Sequence, residues 1–395
     1  MVKYIPPGVY RQQETLLGQP VTAASTSIVA FVGHTDLGPL AQPVLINSFA
    51  EYQKQFMNSS DLADEPDDMT KALIAFYGNG GKRAYICRVN NDDYPSYYQQ
   101  VLSQYNDFSL LVLPGKYWGA TDGNAAEAQT AANQLILATL AFCQQVRHCM
   151  LLLDTASGYP LDSPASVTAL SLPTSSFVAL YYPWLSISNP FYHATRQPTA
   201  EKTLTLAPSA LAAAIVVSTD ARFGVHKAPA GVSAKLNGVI SLQYSVNELN
   251  QQFLNPLGIN CIRTLPKLGT VLWGARTLAA QSEPQWRYIS VRRTAIFLEQ
   301  SISQSLHWAL SEQNNERLWQ AVRRHVSNFM QTLFHAGALQ GSKAQQAFFV
   351  QCGLGSSMSA QDIEQQQLVL VLGFAAFKPQ EFIVIRLRLP MTPPA

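Results

Sequence analysis

Between residues 23 and 257, short apolar runs alternate with stretches whose apolar residues recur at helical spacing. Five runs predict buried strands: residues 27–33, 84–89, 109–113, 149–154 and 177–182. Between the third and fourth runs, residues 125–145 predict a helix. Continuous apolar strands separated by helices are typical of a sheet that is covered on both faces. This part of the chain therefore predicts an α/β domain.

From about residue 258 the pattern changes. Residues 286–291 predict a strand, and two helices with one apolar face each follow it. The apolar face of the first helix contains Ala295, Leu298, Ile302, Leu306 and Ala309. The second helix begins near Asn315, and Gly337 is placed to end it because glycine commonly terminates helices.

Both ends of the chain have strand patterns without an obvious local partner. Residues 1–22 have no helical period, and residues 8–13 suit a strand; a frayed terminus is the competing interpretation. Residues 368–374 are nearly all apolar, and residues 381–389 alternate between an aliphatic face and a mixed one. An open apolar edge strand is a template for pairing with another chain, so we expect the last segment to be covered.

Charged residues make up 13% of the 395 residues, against roughly 25% in typical soluble domains. The hydrophobic fraction, 47%, is ordinary, so uncharged polar residues replace the missing charges. Interface cores are depleted of charge, so this composition favours a subunit covered by copies of itself over a polar monomer. The net charge of +2 gives no field that favours nucleic acid or an anionic membrane.

The sequence shows no sign of membrane insertion or secretion. Its N-terminus lacks the apolar core of a signal peptide, and no apolar run approaches the length of about 20 residues needed to span a bilayer. The cysteines are odd in number and include no C-x-x-C pair, so we expect buried, reduced thiols. They are Cys87, Cys143, Cys149, Cys261 and Cys352. Production in the cytoplasm follows from this interpretation.

Catalytic and metal motifs are not found. The segment GNGGKR at residues 78–83 has shorter spacing than a phosphate-binding loop, and the residues before it look helical. A turn between a helix and a strand explains it better. The histidines show no zinc spacing, no G-x-S-x-G elbow occurs, and the acidic residues 61–68 lack the glycine and final glutamate of a calcium loop. We therefore predict no enzyme activity, no cofactor and no metal.

Several ordered segments resemble the signatures of contractile tail sheath proteins. The central ones read GINCIRTLPKLGTVLWGARTL at 258–278, SEPQWRYISVRR at 282–293 and NNERLW at 314–319. The flanking ones are PPGVY at 6–10, STSIVAFVGHTDLGP at 25–39, FYGNGGKRAYICRV at 76–89, ALYYPWL at 179–185, APSALAAAIVVSTDARFGVHKAPAG at 207–231 and GALQGSKAQQAFFVQC at 337–352. Sheath proteins of this family surround the inner tube of contractile phage tails, R-type bacteriocins and extracellular contractile injection systems.

The resemblance implies a mixed α/β fold whose inner α+β domain is completed by strands exchanged between subunits. Residues 1–22 would be an N-terminal arm that donates a strand, and residues 23–257 an outer α/β domain. Residues 258–365 would form an inner, tube-facing domain, and residues 366–395 the C-terminal strands that join neighbouring subunits. The exchanged residues would be Val9, Tyr10, Phe382, Ile383, Val384, Ile385 and Leu387.

Basic residues on the second inner helix, Arg317, Arg323 and Arg324, are candidates for contact with the inner tube. A solvated helix face with local ion pairs is the competing interpretation. Other arginines lie in apolar surroundings within the shared motifs, where they either brace the chain internally or form salt bridges between subunits. They are Arg263, Arg276, Arg292 and Arg293.

The resemblance implies a structural subunit that polymerises in stacked rings, expected to contain six copies, around a tube protein. Switching from an extended to a contracted lattice would drive the tube through a target membrane. Further partners would be baseplate and terminal cap proteins, without nucleic acid or direct membrane insertion. The sheath would assemble in the bacterial cytoplasm and then belong to a released particle or a virion tail. The alternatives are the sheath of a contractile phage and, from a different class, a nucleotide-dependent α/β enzyme.

Overall fold

The computed structural model describes residues 17–58, 66–90, 93–120, 126–192 and 201–391. The chain divides into two compact units. The first, called the large unit, is Ala23–Gln300; the second, called the terminal unit, combines Met1–Thr22 with Ser301–Ala395. Val9 and Tyr10, two of the residues predicted to be exchanged, lie outside the described residues.

The strands in the described part of the chain are numbered in chain order. They are β1 (Ile28–Gly33), β2 (Val44–Ile46), β3 (Arg83–Arg88), β4 (Leu110–Val112), β5 (Met150–Asp154), β6 (Val178–Tyr182), β7 (Leu185–Ser188), β8 (Thr203–Leu206), β9 (Val239–Leu242), β10 (Ile259–Leu265), β11 (Gly269–Leu272), β12 (Phe348–Cys352), β13 (Gln367–Ala375) and β14 (Phe382–Pro390).

The α-helices in the same residues are also numbered in order. They are α1 (Phe49–Phe56), α2 (Asp68–Gly78), α3 (Tyr94–Gln100), α4 (Ala126–Val146), α5 (Pro164–Ala169), α6 (Pro208–Phe223), α7 (Glu248–Leu254), α8 (Ile289–Ser305), α9 (Glu316–His335), α10 (Ala344–Ala347) and α11 (Ala360–Glu364).

The large unit is built on an eight-stranded sheet of order β11-β10-β6-β5-β4-β1-β3-β2. Its central pairs are parallel, and β2 and β11 pair antiparallel at the two edges. Strands β1, β4, β5 and β6 are buried along their whole length, as expected for a sheet covered on both faces. A second, antiparallel sheet has the order β8-β7-β9.

Helix α6 is tied to the central sheet at its first turn. Its N-cap residue, Ala207, has no side chain that could cap the helix. Instead, the buried carboxylate of Asp154, at the end of β5, accepts hydrogen bonds from the backbone N–H and the hydroxyl of Ser209, at 2.7 and 2.5 Å. A carboxylate at this end also meets the positive end of the helix dipole. Burial outweighs these bonds and raises the pKa of Asp154 to about 7.

The predicted mixed α/β fold is confirmed, and all five predicted strands and the helix at 125–145 are present. The predicted strand at 286–291 is wrong: a short 3-10 turn covers Pro284–Trp286, and α8 begins at Ile289. Ile289 and Ile296, seven positions apart, are both buried, so the apolar pattern of this segment belongs to the first helical turns.

The boundary between the compact units differs from the predicted one. The units divide after Gln300, whereas the sequence predicted an inner domain from residue 258. Strand β10 pairs in parallel with β6, with Ile259 opposite Leu180, which makes residues 259–265 part of the large sheet. The assignment of outer and tube-facing domains stays a prediction.

His148, just before β5, gives the large unit a specific sensitivity to acid. Its side chain is 5% exposed, its Nε2 has no hydrogen-bond partner among the described residues, and its ring meets Phe108 edge-on at 4.7 Å. Burial lowers the pKa of His148 to about 4. The unfolded chain therefore binds a proton below about pH 6.5, while the folded chain does not until about pH 4. This difference destabilises the fold as the pH decreases between those values.

We expect His148→Leu to remove this part of the acid sensitivity. Between pH 7 and 4.5, the unfolding free energy of the wild-type chain should decrease by roughly 2–3 kcal/mol more than that of the variant. Urea denaturation at both pH values measures the difference. Parallel pH profiles for the two chains would contradict the assignment.

Candidate assembly surfaces

The terminal unit is built on the antiparallel sheet β12-β13-β14. The ladder between β13 and β14 is nine residues long, from Gln367 opposite Pro390 to Ala375 opposite Phe382. Strand β13 lies between its two neighbours and is buried from Leu368 onwards. Helix α9 packs against β12 and has one strongly apolar face. The central strand therefore supplies most of the buried surface of this sheet.

The predicted C-terminal exchange residues lie on β14, on two faces. Ile383 and Ile385 are buried, and Leu387 on the same face is half-buried. Phe382 is half-buried and Val384 is 55% exposed on the opposite face. In the single chain these residues pair with β13 of the same molecule, so donation to a neighbour stays a prediction.

The sheet has two outer edges, those of β12 and β14, and no further strand pairs with either one among the described residues. Unpaired backbone N–H and C=O groups at such an edge can accept an additional strand from another chain. The N-terminal segment predicted to supply that strand, with Val9 and Tyr10, lies outside the described residues.

The described beginning of the chain is held against the terminal unit at three points. The Nε2–H of His325 donates to the carbonyl of Leu17 at 2.9 Å, and the N–H of Thr22 donates to Ser305 Oγ at 2.9 Å. Between them, Gly18 has a φ of +89° and lies against the ring of Trp308, where a Cβ atom would overlap the indole. These contacts hold residues 17–22 in place within the terminal unit. Sequence reasoning missed them.

The three candidate tube-contact arginines do not share one environment. Arg323 is bound within the terminal unit, because its guanidinium donates to the carbonyl of Cys352 and to Glu316 Oε1, the latter at 2.6 Å. Arg317 and Arg324 are exposed, and their spacing of seven places them on the same side of α9. Neither has an ion-pair partner in the described ranges. Of the three candidates, Arg317 and Arg324 are therefore the two whose side chains are available to bind another molecule.

The arginines of the shared motifs make contacts within the large unit. Arg293 forms a buried ion pair with Asp220 at 2.7 Å, and Arg263 pairs with Glu248 at 3.1 Å. Arg292 lies between aromatic rings, 3.5 Å from the centre of Trp286 and 4.5 Å from that of Phe177. Its burial lowers the pKa of Arg292 to about 10.

Arg276, the one partly exposed member of the four, lies 5.7 Å from the ring centre of Tyr288. The arrangement supports the interpretation of these arginines as internal braces, since three of the four are held by partners in their own unit. A buried arginine with such partners is costly to release.

The GNGGKR segment joins α2 to β3, so it is a turn from a helix into a strand. A phosphate-binding loop has the opposite polarity, since it follows a strand and opens a helix. Asn79 holds the turn: its Nδ2 donates to the carbonyl of Ala75, and its Oδ1 accepts from the N–H of Asn237.

In the described part of the chain, no group of three or more His, Cys, Asp or Glu side chains is arranged to bind a metal ion. Within the same residues, no helix has both the length and the apolar composition that a bilayer span requires.

Comparison with known proteins gives one family match and several full-length structural matches. The phage tail sheath C-terminal domain family matches residues 281–389. No curated protein matches the chain. The sheath complex of an extracellular contractile injection system, PVC, in its contracted state is 26% identical, with a TM-score of 0.75 and coverage of 98% of both chains.

Two structures of the anti-feeding prophage (AFP) match equally completely. Its helical sheath in the contracted state is 29% identical, with a TM-score of 0.73 and coverage of 98% of this chain and 99% of that one. A chain of its baseplate is 30% identical, with a TM-score of 0.71, and the match covers 99% of this chain and all of that one. With the ordered sequence segments and the terminal sheet, these matches show that the chain belongs to the contractile tail sheath protein family.

Proposed function

We propose that the chain is the sheath subunit of an extracellular contractile injection system. It polymerises in stacked rings of six around an inner tube, and the lattice drives the tube through a target membrane when it contracts. The supporting observation is similarity along the whole chain to sheath structures of two such systems, at 26% and 29% identity. The sheath of a contractile phage remains the alternative within the family.

The sheath assembles in the cytoplasm with tube, baseplate and cap proteins and leaves the cell in the finished particle. Contraction uses no cofactor and no catalysis, because the extended lattice is held above the contracted one in free energy. Residues 23–257 serve as the outer domain and residues 258–365 as the tube-facing one.

Strand exchange through β14 is the proposed link between subunits. If β14 leaves its own β13 and pairs with β13 of a neighbour, every backbone bond and side-chain contact of the ladder can form again in the same register. The segment that must change is the connection of residues 376–381 between the strands. Exchange of an identical element is therefore a low-cost route to a continuous lattice. The N-terminal arm, with Val9 and Tyr10, adds a further strand at an outer edge of the sheet.

A cysteine pair across the ladder tests this exchange. Val371 and Arg386 lie directly opposite each other. We expect sheaths assembled from the variant Val371→Cys with Arg386→Cys to give, on oxidation, a ladder of covalently linked chains in denaturing gels, because the two cysteines that meet come from different copies.

Each single-cysteine variant is the matched control, since the five native cysteines are buried. If intact sheaths gave only monomers with an internal cross-link, the exchange would be contradicted.

Deleting residues 379–395 should independently leave soluble protein that forms no sheath.

Arg317 and Arg324 are the proposed contacts with the tube. A single exposed ion pair contributes only about 0.2–1 kcal/mol, but the same contact is repeated in every copy of the lattice. We expect the double variant Arg317→Glu with Arg324→Glu to fold and self-assemble but to give few tube-loaded particles when the tube and baseplate proteins are co-expressed.

The exposed arginines of the large unit provide a control of equal charge change, Arg83→Glu with Arg222→Glu. Electron microscopy counts tube-filled sheaths. Normal loading of the Arg317 and Arg324 variant would reject the assignment. Arg323→Glu is unsuitable for this test because it breaks the contact with Cys352 inside the terminal unit.

A substitution at Gly18 tests whether the contacts of residues 17–22 are needed for assembly. We expect Gly18→Ala to release residues 17–22 and to raise their hydrogen-exchange rates by roughly tenfold or more, which corresponds to a loss of at least about 1.4 kcal/mol. Assembly should decrease with it, because the arm would no longer depart from a fixed point.

Gly355→Ala is the matched control for this experiment. Gly355 also has a left-handed φ, +77°, but no atom lies near the position of its Cβ. It therefore carries only the backbone penalty of roughly 1–2 kcal/mol. Equal exchange rates at residues 17–22 in both variants would show that the contact with Trp308 does not hold the arm.

A further inference from the structure

We infer that Phe382 sets the register of β14, by seating its ring beside Phe349 at the glycine notch of β13. This inference rests on the proposed exchange of β14 between copies, and it identifies the part of the partner chain that the terminal sheet recognises. The partner group is Phe382 from a second copy of this chain.

The notch is formed by Gly373 in the middle strand. Phe349 on β12 and Val384 on β14 lie on either side of it in register. Because Gly373 has no side chain, the Phe349 ring lies over its backbone, where a Cβ atom would overlap the ring. The same ring meets Phe382 edge-on, with centroids 5.1 Å apart and planes at 88°. Such a geometry is favourable for an aromatic pair.

The buried face of β14 cannot select a register by itself. Ile383, Ile385, Leu387 and Leu389 all lie on this face. They oppose Phe374, Leu372, Leu370 and Leu368, which are again almost uniformly aliphatic. A slip of two residues keeps the same face buried and replaces one aliphatic side chain by another. Neighbouring registers therefore differ little in packing on this side.

The polar residues on the opposite face of β14, Arg386 and Arg388, also repeat every two positions. Arg388 lies 3.5 Å from Asp362, and Arg386 donates to the carbonyl of Ser357 at 3.5 Å. After a slip of two residues, one arginine takes the position of the other. Phe382 is the one aromatic residue of β14 and lies opposite Ala375, and a slip in either direction would place Val384 or Gln380 there instead. The aromatic contact is thus the feature that distinguishes the registers.

The register has a direct consequence for the lattice. A slip of two residues displaces the strand by about 7 Å along its partner. In an exchanged ladder this displacement would move a whole neighbouring subunit, so an error that is tolerable within one chain would disturb the spacing of copies.

Moving the aromatic residue along β14 tests the inference. The variant Phe382→Val with Val384→Phe has unchanged composition, and we expect its strand to shift by two residues so that the ring again lies opposite Ala375, edge-on to Phe349. Val371→Cys then reports the register. In the parent chain it should cross-link with Arg386→Cys, and in the variant with the phenylalanine at position 384, called the exchanged-ring variant, it should cross-link with Arg388→Cys. The yield of the second pair should become the larger one.

Cross-linking that stays at position 386 in the exchanged-ring variant would overturn the inference. A second variant, Gly373→Ala, closes the notch in an otherwise parental chain, and we expect it to distribute the cross-links over positions 386 and 388. Cross-links confined to 386 in that variant would also count against the inference.

The failure of the register assignment and the failure of strand exchange give different results. Whether the products are ladders or single chains reports the exchange, whereas the position of the cross-link reports the register. Single chains cross-linked at 388 after the ring is moved would support the notch and contradict the exchange.

Discussion

The backbone ladder between β13 and β14 is the interaction on which the proposed assembly depends. It joins the most buried strand of the terminal unit to the last described strand of the chain over nine residue pairs. Backbone hydrogen bonds carry no sequence information, so the same ladder can form within one chain or between two. The single chain satisfies β14 internally, and in the proposed lattice a neighbour would satisfy it equally well. The connection at residues 376–381 and the contacts between copies would then decide which pairing forms.

The large unit contrasts with this exchangeable element. Its central strands are buried throughout, and ionic and aromatic contacts hold its arginines in place, among them the buried pair of Arg293 and Asp220 at 2.7 Å. Such a unit is suited to move as a body, because close-packed interiors resist gradual deformation. The low fraction of charged residues, 13%, fits a protein whose surfaces are covered by further copies.

The sequence predicted elements with a clear local pattern and missed features that depend on tertiary contacts. The strands β1 and β5 are recognisable in the sequence, because strands of a sheet covered on both faces are continuous apolar runs. The apolar residues of the segment 286–291 predict a strand, but over six residues such a pattern suits the start of a helix equally well. The compact units divide after Gln300 and not at residue 258, because β10 pairs with β6, a strand about eighty positions away that no local pattern reveals.

The assembly residues show the same limit. The alternation of residues 381–389 predicted both faces of β14, but Arg323 was grouped with Arg317 and Arg324 although it binds the carbonyl of Cys352, a partner distant in sequence. The position of Gly18 against Trp308 has no local pattern either. Glycines with a left-handed φ are common, and only the fold shows which ring lies beside this one.

The most direct measurement is a cryo-EM map of the assembled sheath that traces the chain through residues 376–381. The account predicts that this connection leaves its own subunit and continues into a strand paired with β13 of a neighbouring copy. A closed β13–β14 hairpin within every copy of an intact sheath would contradict it.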